Sequence, residues 1–273
     1  MDVLTLSICL SAAILSVPLL LSRCCPQMMS DTLFFVPTLD PVAHGYTLLK
    51  SLLVLSSWVF AYIALQRLPL SVVSPMQATR PMWTLLGALI LFDERLNGWQ
   101  WTGVALALGT IFLFSLRGTR QIKKGNSWDY IFLSLAILLG ACAGLYDKYL
   151  MRRYDHNAVQ VYYTLYQALM MIVVWCISHR KKFQLPAGNF FSIRNITPIL
   201  LISVFLVISD NVYMLALRDP DSLIAVVSTV RRGGAVIGFA YGLLFLKEQD
   251  PLPKLLCMAG ILAGLLCLAF GTL

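Results

Sequence analysis

About nine apolar runs, each near the roughly 20 residues a helix needs to cross a bilayer, follow one another along this chain. They are Val3–Leu21, Tyr46–Leu65, Leu70–Phe92, Trp99–Leu116, Trp128–Leu150, Val159–Ile177, Ile196–Leu217, Ser222–Leu246 and Leu252–Leu273. A soluble domain of this length carries about twice the 12% of charged residues found here. The pattern predicts an all-α polytopic membrane protein. The net charge of +8 does not point to nucleic acid, because the bases sit in short polar segments between the runs, as in loops at a membrane surface.

The seven cysteines form no framework. Cys9, Cys142, Cys176, Cys257 and Cys267 fall inside apolar runs, Cys24 and Cys25 are adjacent, and no Cys/His ligand spacing occurs, so they read as small hydrophobes. The start lacks a basic segment and a small-x-small site, so it does not read as a signal peptide. No metal and no cofactor is expected.

The chain repeats itself. "ALILFDERLNGWQWTGVALALG" matches "GLLFLKEQDPLPKLLCMAGILAG", with Glu94 opposite Glu248, and upstream "YIALQRLPLSVVS" matches "YMLALRDPDSLIAVVS" with three extra residues in the second copy. A tandem match outweighs a single motif. The basic segment Arg117–Ser127 separates the copies, giving a first repeat over 1–117 with four visible spans and a second over 127–273 with five. An odd span number per repeat inverts the second copy, an architecture common in transporters. The four-against-five count leads to the expectation of a further leading helix before Val3.

The segment Ala64–Phe114, "ALQRLPLSVVSPMQATRPMWTLLGALILFDERLNGWQWTGVALALGTIFLF", resembles the drug/metabolite transporter superfamily, specifically its EamA-type ten-helix members. In that family an apolar helix ends in a Gly-Glu-Arg-like turn before a glycine-containing helix. Asp93-Glu94-Arg95 fills the turn here, with Asp93 in the glycine's place, and Lys247-Glu248-Gln249 departs further in the second copy. The resemblance runs over nearly the whole chain from Val3. It implies ten helices in two inverted five-helix repeats and a multi-pass protein of the plasma membrane moving a small organic solute. The alternatives are a non-transporting membrane scaffold or a degenerate transporter remnant, with an intramembrane enzyme behind both.

Polar groups within spans face protein or a water-filled cavity by default. Arg231 and Arg232 lie about 13 Å into the eighth run and Asp210 about 10 Å deep from the same surface, so Asp210 and one arginine are expected to pair. Asn211 and Tyr213 lie nearby. In the first copy Gln77 is equivalent to Arg231, and Arg80 follows one turn along the same face. Pro75 and Pro81 around Arg80, and Gly233 and Gly234 beside Arg232, are expected kink or close-approach points. One reading has Arg80 and Arg231 lining a central path for an anionic or zwitterionic solute, with proton coupling as a further expectation; the other has Asp210 neutralising an arginine to hold helices together. Trp58, Trp83, Tyr146, Tyr162, Tyr166, Gln167 and Tyr213 supply an aromatic wall or ordinary packing. Asp147-Lys148 reads as a gating pair or a surface ion pair, Glu94 and Glu248 as surface helix caps serving their turns, and Trp99 and Trp101 as interface anchors.

No constellation for catalysis emerges. His44, His156 and His179 fall in loops or at run ends, and GxSxG, HExxH and P-loop motifs are missing. By basic-residue count, the loops holding Arg117–Lys124 and Arg180–Arg194 are expected on the cytoplasmic side, with residue 1.

Overall fold

The computed structural model describes residues 2–30, 32, 34–68, 73, 76, 77, 79–117, 126–179, 193–219, 222–232 and 251–272. Ten helices form among them, with no strand: α1 (Asp2–Cys24), α2 (Pro26–Met29), α3 (Pro41–Arg67), α4 (Arg80–Leu91), α5 (Gly98–Arg117), α6 (Ser127–Met151), α7 (His156–His179), α8 (Ile193–Arg218), α9 (Ile224–Arg232) and α10 (Pro251–Thr272). Each apolar run contains a helix among the described residues, though α4 and α9 cover only 12 and 9 residues of theirs. Five of them, within α1, α3, α6, α7 and α8, are long and apolar enough to cross a membrane. Pro75, Gly233, Gly234, Glu248 and the bases Arg120 to Lys124 and Arg180 to Lys182 lie outside the described residues.

Two compact units result. The first comprises residues 1–55 and 147–218, the second residues 56–146 and 219–273, so each draws helices from both copies of the sequence repeat.

In the first unit α1 packs on α7 and α8, and α7 packs on α8. Leu15, Val36, Ala158 and Val161 form its apolar centre. Small hydroxyls let α1 and α8 approach: Ser203 donates to the carbonyl of Ser7 at 3.0 Å, and Ser11 donates to the carbonyl of Ser203 at 3.3 Å. Such bonds knit helices where hydrocarbon offers no hydrophobic drive to associate. The outward side of α8 carries exposed Leu201, Phe205, Ile208, Val212 and Leu215, a face suited to lipid.

In the second unit α5 and α10 pack along their length and run antiparallel, since Asn97 at the start of α5 donates to Gly271 at the end of α10 while Thr110 lies against Cys257 near α10's start. Leu85, Val104, Leu108, Ala225 and Leu268 form a core shared by α4, α5, α9 and α10. Asn97 and Gln100 make a reciprocal capping box: the backbone N–H of Gln100 donates to Asn97 Oδ1 at 2.8 Å, and that of Asn97 to Gln100 Oε1 at 2.9 Å. Both amides also donate to the carbonyl of Gly271, satisfying an otherwise open acceptor at the end of α10. Pro81 lies in the first turn of α4, where its missing N–H costs nothing.

Candidate functional site

The first unit holds a charged pair in an apolar setting. α3 reads Leu48-Leu49-Lys50-Ser51-Leu52, and its lysine is buried with Nζ 2.9 Å from Oδ1 of Asp147, near the end of α6. The two side chains are 2% and 12% exposed. A lone ammonium here would carry a large desolvation penalty, and the carboxylate offsets it. Lys50 Nζ also sits 4.3 Å from the ring centre of Tyr163 on α7, a cation–π contact. The Ser51 hydroxyl donates to the backbone carbonyl of Tyr163 at 3.2 Å, tying α3 to α7 at the same level.

Asp147 and Lys148 are therefore not a surface pair. Both are buried, and Asp147 is matched by a cation from another helix. Consecutive helical residues point about 100° apart, so the two diverge from a common backbone site. Lys50 was missed in the sequence because a single base inside a long run barely changes its hydropathy. The signal was present nonetheless, as the one cation inside the Tyr46–Leu65 run.

Gln167 lies one turn beyond Tyr163 on the same side of α7. Its side chain is buried, and among the described residues neither the amide nitrogen nor the oxygen has a hydrogen-bond partner. Gln160, on the same helix side, is by contrast fully engaged. It donates to the carbonyl of Val207 at 2.8 Å and accepts from Asn211 at 2.8 Å, while Asn211 also reaches Asn157 at 3.2 Å. Asn211 thus cross-links α7 and α8. Tyr213 is buried and Asp210 half-buried on α8. Tyr162 and Tyr166 gather at His44: Tyr166 Oη lies 2.9 Å from His44 Nδ1, and the Tyr162 ring meets the imidazole edge-on at 4.5 Å. Arg23 donates to the Tyr162 hydroxyl at 2.8 Å.

In the second unit Arg80 opens α4 and is half-buried. Its Nη2 donates to the carbonyl of Gly140 on α6 at 2.7 Å. A Cβ at Gly140 would overlap the guanidinium, so the glycine makes room for the arginine. Gln77 and Trp58 are half-buried, and Trp83 is partly exposed. Arg231 is exposed on α9, and Arg232 is described only as a helical position. Asp210 belongs to the first unit and the two arginines to the second. Trp99 and Trp101 are exposed at the start of α5, as membrane-interface anchors would be.

The Asp93-Glu94-Arg95 turn explains its own composition. Asp93 has φ 49, a left-handed conformation that glycine adopts most easily. Glu94 is buried, not at the surface, and caps a different helix from its own: its carboxylate accepts from the N–H of Ile224 at 2.8 Å and of Ala225 at 3.4 Å, the first residues of α9. A carboxylate at a helix N-terminus satisfies open donors and meets the favourable end of the helix dipole. Asp93→Gly is expected to raise stability by up to about 1 kcal/mol by relieving the backbone, and Glu94→Ala to lower it by about 1–2 kcal/mol. Thermal unfolding of the purified variants checks both signs; a stabilised Glu94→Ala or a destabilised Asp93→Gly contradicts this account of the turn.

These features define an all-helical, multi-pass membrane protein. Residues 3–116 match the EamA-like transporter family. That match, with the apolar helices, supports a membrane transporter of the drug/metabolite transporter type. No curated protein matches the chain in sequence.

Proposed function

We propose that the protein moves a small organic solute, anionic or zwitterionic, across the plasma membrane by alternating access through a central cavity formed by two inverted repeats. The observation that carries this reading is the EamA-like match over residues 3–116. The antiparallel packing of α5 on α10, which are counterpart helices of the sequence repeat, supports it. Inverted copies related by an axis in the membrane plane place counterparts head to tail.

Gln77, Arg80, Trp83, Trp58, Arg231, Arg232, Asp210, Asn211, Tyr213 and Gln167 are the residues proposed to line the path. Arg80 supplies the sharpest test, because an arginine within a span costs about 2.5–3.5 kcal/mol on insertion scales and persists only with a compensating role. In proteoliposomes loaded with a panel of acidic, zwitterionic and neutral solutes, Arg80→Gln is expected to cut flux of acidic solutes on the order of tenfold, the loss of about one charge-assisted hydrogen bond. Gly140→Ala displaces the guanidinium without changing charge and should produce a loss of the same kind. Unchanged flux in both variants, with normal membrane insertion, overturns the role of Arg80.

A further inference from the structure

Lys50 is held by two groups: one carboxylate at 2.9 Å and the face of Tyr163 at 4.3 Å. Among the described residues its Nζ makes no directed hydrogen bond, so the contact with Asp147 is a close charge–charge approach. One turn beyond Tyr163 lies the Gln167 amide, 2% exposed and, among the described residues, unpartnered at both of its polar atoms. A buried amide left unsatisfied is costly and points to a partner bound at another stage. An ammonium and an amide N–H₂ on neighbouring helices match the two oxygens of a carboxylate.

We propose that Lys50 and Gln167 anchor the carboxylate of an anionic solute, and that Asp147 is the resident counter-ion which the solute displaces. The inference rests on the transporter reading and names its substrate class and coupling. The exchange balances: the Asp147 carboxylate leaves the Lys50 ammonium and takes one proton from water, and the solute carboxylate takes its place on the same ammonium. The ammonium of Lys50 is matched by one carboxylate before and after, as apolar surroundings require. One proton therefore enters with each solute. The charged and titratable side chains along these elements near Asp147 are His44, Tyr46 and Lys50 of α3, Tyr146, Lys148 and Tyr149 of α6, Arg152, Arg153, Tyr154 and Asp155 just beyond it, and His156, Tyr162, Tyr163 and Tyr166 of α7. Asp155 caps the start of α7 beside His156 and Arg218, and His44 meets Tyr162 and Tyr166, so Asp147 is the acid in contact with Lys50 and the one proposed to take the proton.

The test uses the full chain in lipid nanodiscs, with lactate, succinate and benzoate as probes and lactamide, succinamide and benzamide as their matched amides. At least one acid should protect against thermal unfolding more than its amide, and its binding should tighten on acidification by up to about tenfold per pH unit, the limit for one linked proton. Adding that acid should raise an infrared band of a protonated carboxyl, which Asp147→Asn lacks. Gln167→Leu should weaken acid binding about tenfold, the loss of one charge-assisted hydrogen bond. The same variant should unfold at a higher temperature, because it removes an unpartnered amide. A merely structural Gln167 would not give these opposite signs. Lys50→Met/Asp147→Asn, neutral throughout and so expected to fold, should show no preference for acids.

Equal protection by acids and amides, acid binding that survives in Lys50→Met/Asp147→Asn, or acid binding untouched by Gln167→Leu each overturns the proposal. Flux of a neutral solute that persists in Lys50→Met/Asp147→Asn, with acids and amides equivalent, removes this inference and keeps the transporter reading. Acid binding with the predicted proton linkage, but no flux of any solute, keeps the site and removes transport.

Discussion

Lys50→Met alone is expected to lower the thermal unfolding midpoint by about 10 °C, and adding Asp147→Asn is expected to restore most of it. The loss comes from a buried carboxylate deprived of its ammonium partner. In the native chain the pair is neutral and shielded, with the lysine 2% exposed. Removing only the cation leaves a carboxylate among α3, α6 and α7 with its nearest counter-charge gone, and breaking a buried pair in this way costs about 3–5 kcal/mol. Neutralising the second partner removes that penalty, since a buried ion pair is often no more stable than a well-packed neutral replacement. Tyr163→Leu should have a smaller effect, about 1–2 kcal/mol, because it removes only the aromatic face under the ammonium. Fluorescence-detected size exclusion after heating gives the ranking. A single variant as stable as the parent, or a double variant no better than the single, would show that Lys50 and Asp147 do not depend on each other.

The sequence disclosed the helices because hydropathy measures the property that a spanning helix must have. Its errors fall where a helix does not need to be apolar. α3 begins at Pro41, five residues before the run's first apolar-dense stretch, because proline is well placed in a first helical turn. α7 begins at His156, where Asp155 accepts from the N–H groups of Asn157 and Ala158, although the apolar run starts at Val159. Capping is local chemistry, yet it lies outside any hydropathy window. The site was legible to a lesser degree. Arg80 declared itself as a charge inside a span, but its carbonyl partner on Gly140 depends on how α4 meets α6. Asp93 was legible as an aspartate in a glycine position, and its φ of 49 supplies the reason for the glycine. Lys50 and Asp147 are far apart in the chain, and Lys148 offered Asp147 a nearer cation in sequence, whereas the fold brings Lys50 of another helix to it. Glu94 was read as serving its own turn, because nothing in the chain's order says that α9 begins above it.

Gly103→Leu is expected to destabilise the second unit by about 3 kcal/mol, while Gly109→Leu, less than two turns along the same helix, is expected to be neutral or stabilising. The difference lies in what each glycine faces. A Cβ on Gly103 would stand 2.8 Å from the backbone oxygen of Gly264 and 2.9 Å from the backbone nitrogen of Leu268, both on α10. The relation is reciprocal, since a Cβ on Gly264 would stand 2.8 Å from the backbone oxygen of Gly103 and from the backbone nitrogen of Ala107. Backbone does not swing aside as a side chain does, so any added atom forces the two helices apart along their length. Small residues at such crossings let dispersion and weak hydrogen bonds act between helices in a medium that gives them no hydrophobic reason to pair. Among the described residues nothing lies within 4 Å of the corresponding point on Gly109, so leucine there adds apolar surface and removes a glycine that costs about 1 kcal/mol in a helix interior. Because α5 and α10 are counterparts in the repeat, Gly264→Leu should match Gly103→Leu in size. Equal stability of the Gly103 and Gly109 variants would mean that α5 and α10 are not held by this close approach, and would remove the packing support for an inverted pair.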